Sequence, residues 1–353
     1  MAVRVRTVAL SLLGLLVVVV LGGITAVGWQ IVLGPTARQV TDRRFEATPE
    51  RLARGQYLIE AAACFHCHSE HDLSAPEYPV AAGRRGAGWE MPIPELGKVI
   101  APNITSDPVT GIGAWSDDEI ARAIQEGISR DGSALFPLMP YGNFRNLDEE
   151  DLASIVVFLR TVPAVTQVRQ RSELVFPLSV LVNVMPKPMA AHAPVARTAP
   201  AARGEYLVRN VAGCQDCHSP AHNGDPLDGM DLAGGFMLSD PGRNMAPVYA
   251  LNITPDPSGI AHYDEGLFIE VLQTGHLPGR MLSHIMPFEN FRNFTEDDLR
   301  DMFAYLKSVP TVKHRVSNTD PPTFCPLCEG THGLGDKNVK TQYPVLGDLR
   351  QSL

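Results

Sequence analysis

The feature that most constrains this chain is an internal repeat with an offset of about 150 residues. Four segments of the first half return in the same order in the second half. The matching pairs are Arg54–Leu58 with Arg203–Leu207, Cys64–His68 with Cys214–His218, Asn103–Thr105 with Asn252–Thr254, and Met139–Asn146 with Met286–Asn293. Four ordered matches are not expected by chance, so we predict that the chain holds two copies of one domain.

The repeat also sets the expected domain boundaries. The first copy is predicted over residues 45–165 and the second over residues 195–315. Residues 166–194 then form a linker that contains the short apolar segment Val175–Val182, which either packs on a domain or lies at a membrane interface. Residues 316–353 remain as a C-terminal tail.

The N-terminal region carries an uncharged stretch of 26 residues, Val8–Leu33. This is the length of a membrane-spanning helix, whereas the apolar region of a cleaved secretory signal, the alternative, runs to only about 7–15 residues. Trp29 stands near its far end like an interfacial residue, and Arg4 and Arg6 precede it like cytoplasmic residues. We therefore predict a single-pass transmembrane anchor over residues 8–33 in a bacterial cytoplasmic membrane, with everything from about residue 36 onward exported to the periplasmic side.

The composition is that of a globular protein, with 44% apolar and 20% charged residues. The formal net charge is −9, and the basic residues form no run that could track a phosphate backbone. Nucleic acid is therefore not expected as a partner. The acidic balance instead predicts association with a basic protein surface, weakened by salt.

Helical signals recur within each copy. Thr48 followed by Pro49 predicts a helix start, and Ser116 with a glutamate three residues later predicts a capping box on a helix that stops at Gly127. Apolar residues three and four apart predict a C-terminal helix with one buried face in each copy. They are Leu152, Ile155, Val156, Leu159 and Leu299, Met302, Phe303, Leu306. No segment shows sustained strand alternation, so the expected fold class is mostly α, with an N-terminal transmembrane helix.

The repeated Cys-x-x-Cys-His sequence is the pattern of covalent c-type haem attachment. Two cysteines one helical turn apart can reach the two vinyl groups, and the adjacent histidine can direct a ring nitrogen at the iron. A redox dithiol or half of a zinc site would also use Cys-x-x-Cys, but the histidine that follows in both copies disfavours these alternatives. The predicted attachment residues are Cys64, Cys67, Cys214 and Cys217, and the predicted iron ligands are His68 and His218.

On these motifs each copy resembles the class I cytochrome c family. In that family a methionine that precedes a C-terminal helix supplies the second axial ligand of the iron. The resemblance implies this role for Met139, 71 residues after His68, and for Met286, 68 residues after His218. His284 is a competing ligand in the second copy, but the first copy has no histidine at the matching place.

Two arginines and two asparagines also occupy matching positions in the two copies. Arg145 and Arg292 each lie six residues after the methionine, where either could pair with a haem propionate or simply face solvent. Asn103 and Asn252 begin sequences that match a glycosylation acceptor, but their repeated position favours turn residues near the haem.

Two further cysteines, Cys325 and Cys328, lie in the tail. A third haem would require histidine where Glu329 stands, and a zinc site using His332 lacks an obvious fourth ligand. We therefore predict a local disulfide between Cys325 and Cys328, as expected for an exported protein.

The resemblance implies a function in electron transfer rather than catalysis. Iron held by histidine and methionine has no open position for substrate, so two covalently bound c-type haems would form a short relay. Over about residues 45–315 the chain also resembles the cytochrome subunits of membrane-bound alcohol, aldehyde and sugar-acid dehydrogenases. The expected partners are a periplasmic dehydrogenase and respiratory electron-transfer proteins. The alternatives are a freestanding electron shuttle tethered to the membrane, and a two-haem cytochrome c peroxidase, which the methionine present in both copies disfavours.

Overall fold

The computed structural model describes part of the chain in detail, namely residues 13–20, 22–23, 25, 28–75, 78–187, 189, 197–222 and 225–339. The ends of the predicted linker and tail, at 188, 190–194 and 340–353, lie outside the described residues. The chain forms two compact units. One comprises residues 1–59, 67–70 and 80–194, and the other comprises residues 60–66, 71–79 and 195–353.

Two helices of the first half begin at their predicted capping residues, and one of them ends at its predicted glycine. Thr48 Oγ1 accepts a hydrogen bond from the backbone of the first turn, and Ser116 forms the predicted capping box. Gly127 ends its helix with φ +68°, a left-handed conformation that glycine adopts without strain. The helices are α1 (Gln30–Leu33), α2 (Pro49–Ala61), α3 (Cys64–Cys67), α4 (Asp117–Glu126), α5 (Tyr141–Phe144), α6 (Glu149–Leu159) and α7 (Leu178–Leu181).

Helices α2 and α6 cross at Gly55. A Cβ atom at this position would lie 2.0 Å from the carbonyl oxygen of Ser154, so the approach excludes every residue except glycine. Beside the crossing, Arg54 donates to both carboxylate oxygens of Asp151 at 2.8 Å. The predicted apolar stripe of α6 is buried, which confirms the helix that the periodicity indicated.

The second half repeats this arrangement. Gly204 lies against Asp301, whose carbonyl oxygen would be 1.8 Å from an added Cβ atom, and Arg203 pairs with Asp298 as Arg54 pairs with Asp151. A π-helical turn over Leu207–Val211 follows the first of these helices. The helices are α8 (Pro200–Tyr206), α9 (Cys214–His218), α10 (Glu265–Thr274), α11 (Phe288–Phe291) and α12 (Glu296–Ser308).

The structure also contains strands, which the sequence did not predict. The first half carries an antiparallel sheet with the order β1–β2–β3, and the second half carries four two-stranded antiparallel pairs, β4–β5, β6–β7, β8–β9 and β10–β11. Most are too short to show alternation. The strands are β1 (Trp89–Met91), β2 (Gly97–Ala101), β3 (Glu173–Leu174), β4 (Ala221–His222), β5 (Asp225–Pro226), β6 (Met237–Asp240), β7 (Ala246–Tyr249), β8 (His276–Leu277), β9 (Arg280–Met281), β10 (Ser317–Phe324) and β11 (Thr331–Gly333).

The predicted single-pass anchor over residues 8–33 is wrong. Within the described part of the chain, no helix combines the length and the apolar character that crossing a bilayer demands. Among the described residues of the predicted span, residues 13–20, 22, 23 and 25 are helical. Gly28, with φ +96°, then separates this region from the single turn of α1. Residues 8–12, 21, 24, 26 and 27 of the predicted span lie outside the described residues.

Two equivalent candidate haem sites

The histidine of each Cys-x-x-Cys-His sequence is held by a backbone carbonyl. Nδ1 of His68 lies 2.8 Å from the carbonyl oxygen of Pro102, and Nδ1 of His218 lies 2.6 Å from that of Leu251. A carbonyl oxygen only accepts, so each ring donates its Nδ1 proton and keeps the lone pair on Nε2. Both imidazoles are thereby oriented to bind a metal through Nε2.

Burial also favours the neutral form of both histidine rings. It lowers the pKa of both His68 and His218, although the hydrogen bond to the backbone carbonyl opposes the shift. The two rings are therefore neutral at neutral pH. Neutral imidazole is the form that ligates iron.

One cysteine of each motif is a protonated thiol at neutral pH because of its burial. Burial raises the pKa of Cys67 to about 11 and that of Cys214 to about 12. Redox-active Cys-x-x-Cys pairs instead lower the pKa of one thiol to generate the thiolate. Within each motif the two cysteines lie on one turn, in α3 and α9.

The Asn-Ile-Thr segments position the carbonyls that hold the histidines. Asn103 and Asn252 are 3% and 4% exposed, and each side-chain oxygen accepts from the backbone and the hydroxyl of the threonine two residues on. Each amide donates to the carbonyl of a valine, Val165 in one copy and Val312 in the other, at 2.8 Å. Both asparagines are therefore buried turn residues, and their predicted position near a haem stays a prediction.

The candidate methionine ligands occupy matching turns. The backbone N–H of Met139 donates to Phe136 at 3.0 Å, and that of Met286 donates to Ser283 at 3.2 Å. In both copies the carbonyl of the methionine then accepts from the aromatic residue two positions on, at 2.7 and 2.8 Å. Both methionine side chains are half-buried.

These turns are fixed against the glycines that end α4 and α10. An added Cβ atom on Gly127 would lie 2.5 Å from the ring of Tyr141, and one on Gly275 would lie 2.9 Å from the ring of Phe288. Each glycine carbonyl also accepts from a leucine shortly before the methionine, at 2.7 and 2.9 Å. The position of each methionine is therefore set by the helix before it.

One polar atom tests whether a haem fits the first site. The hydroxyl of Tyr141, two residues after Met139, is buried and has no hydrogen-bond partner among the residues that the structure describes. Burial raises its pKa to about 12, so the hydroxyl keeps its proton and remains a donor. An unpaired buried donor costs about 1–3 kcal/mol, and a bound group with acceptor oxygens would remove that cost. The site accordingly fits a haem, whose carboxylates are such acceptors.

Other residues considered from the sequence have protein partners. Arg145 donates to the carbonyl of Lys187 at 3.0 Å, and Arg292 pairs with Glu289. Nε2 of His284 lies 3.2 Å from the sulfur of Met281. The carbonyls of Pro102 and Leu251 were not foreseen, although each directly precedes a repeated Asn-Ile-Thr segment, which was the signal available.

Comparison with known proteins agrees with this geometry. A family model described as cytochrome c matches residues 52–163. The cytochrome c subunit of a quinone alcohol dehydrogenase from Komagataeibacter europaeus is 28% identical over 324 residues, which cover 87% of this chain. A diheme cytochrome c-type protein from Cereibacter sphaeroides is 29% identical over 281 residues, covering 76% of this chain and 89% of that protein. The gluconate 2-dehydrogenase cytochrome c subunit of Pantoea cypripedii is 32% identical over 183 residues, half of this chain and 39% of its own length.

This chain matches only part of the length of the alcohol dehydrogenase subunits. It covers 65% of their length, so this chain spans just under two thirds of these relatives. The match covers 87% of this chain, so it extends over most of both copies of the repeat. Residues 52–163 therefore match the cytochrome c family, and the relatives named as diheme cytochrome c and as cytochrome c subunits support covalently bound c-type haems in this chain.

Proposed function

We propose that this protein transfers electrons between protein partners through its two haems. The observation that carries the proposal is the equivalence of His68 and His218, each neutral and each held through Nδ1 by the carbonyl before an Asn-Ile-Thr turn. Bound haem supplies a one-electron couple of its iron. The protein supplies two similarly built haem environments. A relay requires two such environments, whereas a substrate-binding site does not require a second copy.

The ligand assignment is part of the proposal. His68 and His218 would bind iron through Nε2, and Met139 and Met286 would supply the opposite ligand from their matched turns. Ligation by histidine and methionine raises the potential of haem iron and closes its coordination sphere. The chain would then act as a carrier of electrons and not as the catalyst.

The partner we propose is a dehydrogenase. Relatives are named as cytochrome subunits of alcohol, gluconate and fructose dehydrogenases, and this is the support for assigning such a donor here. Electrons would leave toward respiratory electron-transfer proteins. The net charge of −9 favours a basic docking surface on the partner, so the association should weaken as salt rises.

The attachment residues can be tested by counting haems. We expect two haems per chain by pyridine haemochrome assay, one after Cys64→Ala with Cys67→Ala, and one after Cys214→Ala with Cys217→Ala. The matched control is Cys325→Ala with Cys328→Ala, a third Cys-x-x-Cys that lacks the histidine and should leave the count at two. Two haems retained in either of the first two double variants would contradict the assignment.

The partner can be tested with the native holoprotein purified at low salt, by identifying what accompanies it. We expect a dehydrogenase that reduces the haem bands when its own substrate, a primary alcohol, an aldehyde or a sugar acid, is added. High salt should slow that reduction. If no accompanying dehydrogenase reduces the haems, or if the isolated chain oxidises a substrate unaided, the proposal is wrong.

A peroxidase function predicts a different result. Such an enzyme needs one haem that opens a position for peroxide, whereas the two methionine turns here have the same hydrogen bonds. Peroxide added to half-reduced protein should oxidise it no faster than a control cytochrome c with histidine and methionine ligands. Faster oxidation would favour the peroxidase.

A further inference from the structure

Outside the haem sites, the end of the second copy and the C-terminal tail bring four potential metal ligands together. His314, Cys325, Cys328 and His332 are buried, and the ligand atoms they offer all lie within 4.8 Å of one another. Three of the four side chains are fully inaccessible, and Cys328 is 6% exposed. Cys325 and Cys328 are free thiols, so the predicted disulfide is not what the structure contains.

Three of the distances between ligand atoms are close to those of a tetrahedral site. Nε2 of His314 lies 3.3 Å from Sγ of Cys325, and Nε2 of His332 lies 3.3 Å from Sγ of Cys328. The two Nε2 atoms are 3.2 Å apart. A zinc ion bound at about 2.0–2.1 Å by nitrogen and about 2.3 Å by sulfur sets its tetrahedral ligand atoms roughly 3.3–3.8 Å apart.

The orientation of the two imidazoles points to a cation between them. Nδ1 of His314 lies 2.9 Å from the carbonyl of Ala233, and Nδ1 of His332 lies 3.0 Å from the carbonyl of Gly333. Both rings therefore donate from Nδ1, and two Nε2 lone pairs face each other at the centre of the cluster. A cation removes this repulsion, and a backbone carbonyl on the far nitrogen is the usual support of a metal-bound histidine.

The backbone around the cluster is shaped to hold it. The turn from Cys325 to Gly330, which carries both thiols between β10 and β11, is closed by a 2.8 Å hydrogen bond between the backbones of these two residues. Gly235 approaches with φ +98°, and a Cβ atom there would lie 2.8 Å from the His314 ring and 3.4 Å from Sγ of Cys328. Only glycine fits this approach.

We propose that His314, Cys325, Cys328 and His332 bind a structural zinc ion. The set of two thiolates and two imidazoles is one that zinc prefers, and four protein ligands leave no open position for chemistry. The ion would tie the tail to the loop that follows the second haem motif. In that loop, the N–H of Gly234 donates to the carbonyl of His218 at 2.7 Å, next to the carbonyl of Ala233 that holds His314.

The test uses the full-length holoprotein, purified without chelator, and measures zinc and iron against protein by mass spectrometry. We expect one zinc for every two haem irons. X-ray absorption at the zinc edge should show two sulfur and two nitrogen neighbours, a result that needs no variant. Zinc content below about a tenth of an equivalent would overturn the proposal, as would a Cys325–Cys328 disulfide or a third, non-haem iron at the site.

Variants make the assignment specific. Cys328→Ser and His332→Gln should each lower the zinc content at least tenfold, with both haems retained. His276→Gln alters an exposed histidine of the same unit and should leave one zinc bound. Equal loss of zinc in His276→Gln, or full retention in His332→Gln, would overturn the site. Haem counts are independent of zinc counts, so failure of this proposal is distinguishable from failure of the electron-transfer proposal.

Discussion

Arg38 donates to both carboxylate oxygens of Asp118, with Nη1–Oδ2 and Nη2–Oδ1 distances of 2.7 Å. Its Nε donates to a second carboxylate, that of Glu126, at 2.6 Å. Both acidic side chains are only 2% exposed, so one guanidinium balances two buried charges on α4. The extended segment that precedes the first cytochrome copy is fixed to it at this point.

Arg38→Ala should therefore destabilise the protein by at least about 2 kcal/mol, because it leaves two buried carboxylates without their cation. Denaturation of the holoprotein in urea, followed by circular dichroism, measures the change. Arg171→Ala is the control, since Arg171 is 78% exposed and its pair with Asp131 lies in solvent. The control should cost no more than about 1 kcal/mol. Equal losses of stability in the two variants would show that burial does not make the Arg38 ion pairs more stabilising than an exposed pair.

A second prediction concerns the helix crossing of the second copy. Gly204→Ala places a Cβ atom 1.8 Å from the carbonyl oxygen of Asp301, which is backbone and cannot move aside without separating α8 from α12. We expect a loss of about 1–3 kcal/mol or more in the free energy of unfolding.

Gly142→Ala is the matched control for Gly204→Ala. Gly142 lies in helix α5, and an added Cβ atom would meet nothing within 4 Å. Alanine should leave the melting temperature unchanged or raise it, because alanine is the better helix former. A melting temperature for Gly204→Ala that equals the wild type would refute the crossing geometry.

Several helices of this fold could be predicted from the sequence. Thr48 and Ser116 cap helices through local hydrogen bonds, and the apolar residues of α6 form one buried face. Both features depend on residues close together in the sequence, so a short sequence pattern predicts them. The β hairpins could not be predicted in this way. Strands such as β1 (Trp89–Met91) contain three residues or fewer, which is too few to show the alternation that predicts a strand.

The third prediction is a pH dependence centred on Asp107. Hydrogen bonds from the backbone N–H of Thr110 and the hydroxyl of Thr166 lower the pKa of Asp107 from 3.8 to about 2. A depressed pKa stabilises the folded state above the unfolded value, and this stabilisation is lost as the pH falls toward 2. Asp107→Asn should therefore be less stable than wild type at pH 7, with the difference closing between pH 4 and pH 2.

Urea denaturation at a series of pH values measures this difference. Asp228→Asn removes an exposed carboxylate and should follow the wild-type curve over the same range. A constant gap between Asp107→Asn and wild type down to pH 2 would contradict the role assigned to the ionised carboxylate.

The cluster of His314, Cys325, Cys328 and His332 is a site that could not be predicted in full from the sequence. Cys325, Cys328 and His332 were visible as a compact motif, and the missing ligand was His314, eleven residues before the first cysteine. Between them lies β10, which reverses into β11 and returns His332 to His314. The spacing of ligands across an irregular hairpin has no periodic signature, so only the folded chain brings the fourth ligand to the other three.

The last prediction separates the candidate iron ligands from other methionines. Met139 and Met286 are predicted to bind iron because they occupy matched turns, whereas Met237 lies in β6 and is 55% exposed. Replacing a sulfur ligand removes the effect that raises the haem potential. Met139→Ala and Met286→Ala should each lower the potential of one haem by on the order of 100 mV, within the roughly 0.8 V over which axial ligands act.

Spectroelectrochemical titration resolves the two potentials. Each single variant should shift one of the two waves, and the double variant should shift both, whereas Met237→Leu should shift neither. If Met139→Ala and Met286→Ala leave both waves in place, other residues ligate the irons. His284 would then be the first candidate in the second copy, because it lies two residues before Met286. A shift of the same wave in both variants would contradict the assignment of one methionine to each haem.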